Sequence, residues 1–279
     1  AHLAENEGLS YDLSEIFVSC GAKHSLYNIF QAIINEGDEV IIPAPYWVSY
    51  PDMVLLADGA PVIVDCGEEA GFKMSAAQFG AAITDRTKAV VINSPSNPTG
   101  AAYSEEELKE IARIAAEKDI LVISDEIYNK ITYGGFRAKS IAALGEDIKR
   151  LTLTVNGVSK AYSMTGWRIG FTAGNAEIMK AMNKIQGQST SNPTSIAQQA
   201  AVEAYNGPQD SVGEMLVQFE RRKNYIVRRL NAMEGVRCFD PQGAFYVFPN
   251  ISSFFGKTYD GREIKGSVDL TDYLLEKAR

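Results

Sequence analysis

Short runs of β-branched and aliphatic residues alternate along this chain with segments that carry a helical pattern. The apolar runs are residues 39–43, 60–65, 88–93, 120–125 and 151–156. Their length and composition are typical of buried strands. Strands that alternate with helices imply a mostly parallel sheet with helices on both faces, in which ligands bind at the carboxyl ends of the strands. We therefore predict a three-layer αβα fold of the α/β class, with functional residues just after the strands.

The helical segments suggest where the chain divides. Apolar residues recur at helical spacing within residues 23–34, and Ser104 followed by Glu107 has the pattern of a capping box at the start of another helix. We predict a large domain of residues 1–233, which closes with a long charged helix. A new strand pattern follows it, so we predict the beginning of a small α+β domain in residues 234–279.

Charge and composition limit the partners of the chain. Its net charge is −8, from 27 basic and 35 acidic residues without a basic cluster, which argues against nucleic acid and favours small molecules. Cys20, Cys66 and Cys238 have neither metal-ligand spacing nor a disulfide pattern, which favours a reducing compartment. No apolar run is long enough to span a membrane, and we expect a cytoplasmic protein.

The chain begins and ends in helical patterns without an initiator methionine, so we expect further segments at both ends.

The segment NGVSKAYSMTGWRIGF, residues 156–171, contains two candidate functional residues. Lys160 follows an apolar strand among small and apolar neighbours, an environment that desolvates an amine, lowers its pKa and suits it to covalent catalysis. The alternative is an ordinary solvated lysine. Arg168, between glycines that permit close backbone approach, suits bidentate binding of an anion, and its alternative is a structural salt bridge.

Other candidates also follow strands. Asp125 ends the run at 120–125, where it is either a functional carboxylate or a helix N-cap. The loop NSPSNPTG, residues 93–100, has the composition of a turn and contains Asn97. Gly21 opens a helix, where unpaired N–H groups favour a phosphate. Trp47, taken alone, is either a core aromatic or a ligand-stacking residue.

The order of these segments resembles the class I and II pyridoxal-phosphate aminotransferases of fold type I. The resemblance runs from about residue 15 to about residue 250, and its most specific part is the series Ser159, Lys160, Gly166, Arg168 and Gly170. It implies pyridoxal 5′-phosphate as the cofactor. It also implies that Lys160 is the covalent anchor of the cofactor and that Arg168 binds its phosphate.

The same resemblance assigns the remaining site residues. Asp125 pairs with the pyridinium nitrogen, while Tyr128 and Asn97 hydrogen-bond the phenolic oxygen. Trp47 stacks on the pyridine ring. The other cofactor-binding residues carried over are Gly21, Ala22, Lys23 and Ser159.

The segment PYWVSYP and residues 154–170 are most similar in sequence to the corresponding segments of bacterial and plastid aspartate/prephenate aminotransferases. This implies transamination between an amino acid, of the acidic aspartate or glutamate type, and a 2-oxo acid, and it implies a homodimer. Lys23 is the expected contact of the distal carboxylate of the substrate. Two departures stand out. Gly157 replaces a serine that contacts the phosphate in many relatives, and the arginine that binds the α-carboxylate in the family lies beyond this sequence.

Two alternatives of different kinds share the scaffold. One is a pyridoxal-phosphate lyase or cyclopropane-forming synthase, which needs no amino-group acceptor. The other is the ligand-sensing, aminotransferase-like part of a transcription regulator, which needs a DNA-binding segment elsewhere. A nicotinamide dehydrogenase is disfavoured because no G-x-G-x-x-G motif follows the first strand. The exact amino donor and acceptor do not follow from the sequence.

Overall fold

The computed structural model describes residues 2–277, which are built around a seven-stranded sheet in the order β1-β7-β6-β5-β4-β2-β3. Its strands are β1 (Ile16–Ser19), β2 (Glu39–Ala44), β3 (Ala60–Asp65), β4 (Thr87–Asn93), β5 (Leu121–Asp125), β6 (Thr152–Gly157) and β7 (Gly170–Ala173). Strands β2 to β6 pair in parallel, whereas β7 is antiparallel to both β6 and β1. The sheet is therefore mostly parallel, as the sequence predicted.

Helices cover both faces of this sheet. They are α1 (His2–Glu7), α2 (Ala22–Ile33), α3 (Ser49–Leu55), α4 (Ala76–Ala82), α5 (Glu105–Lys118), α6 (Glu146–Leu151), α7 (Ala176–Ser189), α8 (Ser195–Asn206), α9 (Asp210–Asn231) and α10 (Ser267–Lys277). Successive strand residues point to opposite faces, so Ile42 packs with α2, α3 and α7 while Ile41 packs with α4, α5 and α6. Two apolar cores on one sheet make the three-layer architecture.

The five strands predicted from apolar runs are confirmed to within a residue at each end, and so is the capping box. In that box the Glu107 N–H donates to Ser104 Oγ at 3.2 Å, and the Ser104 N–H donates to Glu107 Oε2 at 2.7 Å. Strands β1 and β7 lay outside the predictions. Each has only four residues, and β7 begins with a glycine, so neither has the long β-branched run that marks the other strands.

The residues after α9 form two small antiparallel pairs apart from the main sheet. These are β8 (Arg237–Cys238) with β9 (Pro249–Asn250), and β10 (Thr258–Tyr259) with β11 (Arg262–Glu263). The loop between β8 and β9 is fastened to the first part of the chain. The Gly243 N–H donates to Gly100 O, and the Ala244 N–H donates to Ile131 O, both at 2.9 Å.

The sheet brings the carboxyl ends of several strands to one edge. Asn93 of β4 is paired with Asp125 of β5, and Gly157 of β6 is paired with Gly170, the first residue of β7. Ser19, the last residue of β1, is also paired with Gly170. Residues that follow β1, β4, β5 and β6 therefore lie close together.

No helix within residues 2–277 has the length and apolar character of a membrane span.

Candidate active site

One cavity of about 250 Å³ lies at this edge of the sheet. All the site residues predicted from the sequence line it except Gly21, which lies directly behind Arg168. Its lining residues are Ala22, Lys23, Leu26, Trp47, Tyr50, Asn93, Asn97, Asp125, Ile127, Tyr128, Ser159, Lys160, Thr165, Arg168 and Tyr246. The fold thus joins side chains from six separate segments into one pocket.

The start of α2 and Arg168 form the cationic end of the cavity. Gly21 is the N-cap of α2 with φ 89°, and a Cβ built on it would lie 2.4 Å from Arg168 Nη2. The guanidinium is held by bonds from Nη1 to Thr165 O at 2.8 Å and from Nη2 to Cys20 O at 3.5 Å. Within residues 2–277 no carboxylate forms an ion pair with Arg168. A helix N-terminus beside a cation with no carboxylate partner suits a phosphate.

Lys160 lies in the middle of the cavity on the short loop after β6. Its side chain is half-buried, with Nζ 5.5 Å from the ring centre of Phe245 and 5.8 Å from that of Tyr128. Burial lowers the pKa of this amine, the nearby Arg168 guanidinium lowers it further, and Asp125 acts in the opposite direction. The neutral, nucleophilic form is therefore more accessible here than on an ordinary surface lysine.

Asp125 is a buried carboxylate at the end of β5 and is only 4% exposed. Its Oδ1 accepts from the Ile127 N–H at 3.2 Å, and its Oδ2 accepts from the Tyr50 hydroxyl at 2.7 Å. Burial raises the pKa of Asp125, while these two hydrogen bonds act against the rise. The bond to Ile127 is the local turn expected of such an aspartate, and no helix begins there, so Asp125 is not a helix N-cap.

Three polar side chains meet on another wall of the cavity. The hydroxyls of Tyr128 and Tyr246 are hydrogen-bonded at 2.6 Å, and Asn97 Nδ2 donates to the Tyr246 hydroxyl at 3.4 Å. Burial is the main cause that raises the pKa of Tyr128, and the Tyr246 hydroxyl adds to it. Tyr128 therefore keeps its proton at neutral pH and can donate it to an oxygen acceptor.

Lys23 and Trp47 form the outer wall. Lys23 Nζ lies 4.7 Å from the centre of the Trp47 ring, a cation–π arrangement. Trp47 is half-buried and also meets Tyr50 edge-on, with ring centres 5.3 Å apart. Trp47 is therefore both a core aromatic and a cavity residue, because it packs on the core and also lines the pocket.

The departure at Gly157 has a steric reason. A Cβ on this residue would lie 2.7 Å from Ile169 O and 2.8 Å from the Cα of Gly170, both backbone atoms of the neighbouring segment. A serine would need the paired strands β6 and β7 to move apart. Ser159 is the serine that lines the cavity here, and it is buried.

Tyr50 and Tyr246 also line the cavity, although neither was predicted from the sequence. Tyr50 stands three residues after Trp47, one helical turn away, which was a usable signal that both face the same way. Tyr246 stands in PQGAFYVF, where several aromatic and apolar residues adjoin it and nothing marks it as a cavity residue. Both reach the cavity through contacts that join distant parts of the chain.

Known proteins similar to this chain share its fold and much of its sequence. The aspartate aminotransferase of Bacillus sp. (strain YM-2) is 56% identical over 250 residues, which are 90% of this chain and 64% of that protein. The "Probable aspartate/prephenate aminotransferase" of Rickettsia bellii is 50% identical over 281 residues, covering 100% of this chain and 70% of that protein. The crystal structure of aspartate aminotransferase from Rhizobium meliloti superposes with a TM-score of 0.97 at 46% identity, over 99% of this chain and 70% of that one.

The chain thus spans just under two thirds of the length of the Bacillus protein. The model of the family "Aminotransferase class I and II" matches residues 1–277. That match covers almost the whole chain and agrees with the resemblance carried by the lysine and arginine segment. The chain belongs to the class I and II aminotransferases.

Proposed function

We propose that this chain carries the cofactor site of a pyridoxal 5′-phosphate-dependent aminotransferase that uses an acidic amino donor and a 2-oxo acid acceptor. The observation that carries the proposal is the placement of Lys160, with its lowered pKa, in one cavity with the buried carboxylate of Asp125 and the cationic end at Arg168. Membership of the family supports the same conclusion.

The residues present fit this cofactor at each of its polar groups. Gly21 leaves space beside Arg168 that a Cβ would fill, and with the N–H groups of Ala22 and Lys23 this cradle fits a phosphate. The Asp125 carboxylate fits a protonated ring nitrogen. Tyr128 and Asn97 would donate to the phenolic oxygen, Trp47 would stack on the ring, and Ser159, which lines the same cavity, would contact the phosphate.

When bound, pyridoxal phosphate supplies an electron sink for the negative charge that develops at the substrate Cα. The residues of the chain do the rest. The Lys160 amine would hold the cofactor and, once the substrate amine has taken its place, would act as the base that removes the proton from the substrate Cα. Asp125 would keep the ring nitrogen protonated, and Tyr128 would donate to the phenolic oxygen.

Lys23 is proposed to favour acidic donors. Its ammonium stands in the first turn of α2, where a positive charge opposes the helix dipole unless an anion compensates. The phosphate cradle already has Arg168 and the helix N-terminus. Lys23 instead lies over Trp47 at the outer wall, where it can meet the distal carboxylate of aspartate or glutamate.

The proposal extends to organisation. We assign residues 1–233 to the large domain and residues 234–279 to the beginning of the small one, supported by the two separate strand pairs after α9. We further propose a homodimer, on the strength of the family resemblance, and a cytoplasmic location, on the pattern of the three cysteines.

Acceptor dependence tests the reaction class. The full-length protein, loaded with pyridoxal phosphate, is incubated with aspartate with and without 2-oxoglutarate, and product is measured by chromatography. We expect oxaloacetate and glutamate in equal amounts beyond one turnover, and only when the acceptor is present. Sustained consumption of aspartate without an acceptor would instead identify a lyase.

A further inference from the structure

Tyr50 makes a polar contact in the cavity that the family assignment above leaves without a role. Its side chain is 1% exposed, and its hydroxyl donates to Asp125 Oδ2 at 2.7 Å. Within residues 2–277 the Tyr50 hydroxyl forms no other hydrogen bond. Its acceptor is the carboxylate that we propose pairs with the ring nitrogen of the cofactor. A hydroxyl buried this deeply next to a functional carboxylate has a stronger effect than one at the surface, because no water competes for the acceptor.

The two hydrogen bonds of Asp125 fix its orientation from opposite sides. The Ile127 N–H fixes Oδ1 and belongs to the same turn, whereas the Tyr50 hydroxyl fixes Oδ2 and belongs to α3. Each carboxylate oxygen has two lone pairs, so each keeps one for a ligand in the cavity. The carboxylate is therefore held in one orientation before a ligand arrives.

The hydroxyl also favours the ionised carboxylate. Complete burial raises the pKa of Asp125, and the hydrogen bond from Tyr50 is first among the contacts that oppose this rise. A protonated Asp125 would donate its own proton to a ring nitrogen and leave the ring neutral. A charge-assisted pair would then become a neutral one of about half the strength.

Helix α3 connects this contact with ring stacking. Trp47, just before α3, and Tyr50 within it meet edge-on with ring centres 5.3 Å apart, and both line the cavity. One short segment thus places an aromatic plane and a hydroxyl donor relative to each other. The face of the ring and its nitrogen would be positioned by the same seven-residue helix and the two residues that precede it.

We propose that Tyr50 is a positioning residue that holds Asp125 ionised and oriented toward the ring nitrogen of pyridoxal phosphate. This inference rests on the proposed function. Because the Tyr50 hydroxyl would act only through Asp125, its removal should affect binding only of a ligand that has a ring nitrogen.

The test compares two ligands and two variants by equilibrium binding to the full-length apoprotein. The ligands are pyridoxal 5′-phosphate and its 1-deaza analogue, which has C–H in place of the ring nitrogen. Tyr50→Phe removes the hydroxyl and keeps the ring. Tyr103→Phe is the matched control, because the Tyr103 hydroxyl is also buried but accepts from the Met74 N–H on the other face of the sheet.

We expect Tyr50→Phe to weaken binding of pyridoxal phosphate by about tenfold, the lower range for a hydrogen bond to a charged group, and to leave binding of the deaza analogue unchanged. Tyr103→Phe should not change the ratio of the two affinities. Equal losses for both ligands in Tyr50→Phe, or no loss for either, would overturn the inference.

Two further measurements separate the remaining outcomes. If circular dichroism shows that Tyr50→Phe is unfolded, Tyr50→His provides the test, since it restores an N–H donor. We expect it to keep the parent ratio of affinities, and a lost ratio in folded Tyr50→His would contradict the inference. Failure of the parent protein to bind pyridoxal phosphate would instead overturn the proposed function itself.

Discussion

Gly21→Ala, compared with a control variant at another glycine of positive φ, separates the cost of backbone strain from the loss of the phosphate cradle. Gly21 has φ 89° and ψ 156°, a region essentially restricted to glycine that costs a residue with a side chain on the order of 1–3 kcal/mol. The added methyl would also lie 2.4 Å from Nη2 and 2.8 Å from Cζ of Arg168. Because the guanidinium is the end of a flexible side chain, we expect it to swing away rather than the fold to break.

Displacing Arg168 removes a charge-assisted contact with the phosphate, worth roughly 1.5–3 kcal/mol, so binding of pyridoxal phosphate should weaken by about ten- to a hundredfold. Gly37→Ala is the matched control. Gly37 has φ 81°, and a Cβ there would have nothing within 4 Å, so this variant has the strain without the crowding. Both variants should lower the free energy of unfolding, because both place a side chain at a positive φ.

The assay is equilibrium titration of the apoprotein, followed by the absorbance of the bound cofactor. Pyridoxal, which lacks the phosphate, is titrated in parallel. We expect Gly21→Ala to weaken pyridoxal phosphate alone and Gly37→Ala to weaken neither. If Gly21→Ala and Gly37→Ala bind pyridoxal phosphate equally well, Arg168 and the start of α2 do not form the phosphate site.

Three further variants test two cavity residues and one buried carboxyl group. Asp125→Ala should lose at least ~10²-fold in turnover rate, as expected for one preorganised electrostatic partner, and a rate close to that of the parent would contradict its role. Lys23→Ala should reduce kcat/KM for aspartate about ten- to a hundredfold more than for an apolar donor, and equal losses would restrict Lys23 to the phosphate. Burial raises the pKa of Glu126 from 4.5 to about 7, so the folded chain binds this proton more tightly than the unfolded chain. The free energy of unfolding of the protein should therefore fall by up to about 3 kcal/mol as pH rises from 4.5 to 7. Denaturant titrations should show a smaller fall in Glu126→Gln, which keeps a neutral partner for Ser124 and Ser140; equal slopes would disprove the assignment.

The fold followed from the sequence wherever local patterns determine structure. Strands such as Thr87–Asn93 are rich in β-branched residues, and the helix at Glu105–Lys118 begins with a capping box, so both could be predicted from neighbours in the chain. The strand Gly170–Ala173 could not, because its glycine and small residues form a strand only when β6 and β1 are present on either side.

The site divides in the same way. Lys160, Asp125 and Arg168 occupy motifs in which the residue type and its neighbours carry the signal. Tyr50 and Asp125, by contrast, are 75 residues apart, and Tyr128 and Tyr246 are 118 residues apart. The neighbours of these tyrosines in the chain do not reveal the hydrogen bonds, since each bond depends on a partner that only the folded sheet edge supplies.

The covalent attachment of the cofactor tests the central claim most directly. The full-length protein is incubated with pyridoxal phosphate, reduced with borohydride, digested and analysed by mass spectrometry. Lys23 and Lys160 both line the cavity, so the chain contains its own competing amine. We expect one pyridoxyl phosphate group, located on Lys160 and absent from a folded Lys160→Ala variant. A group on Lys23 instead, or one that persists in Lys160→Ala, would contradict the account.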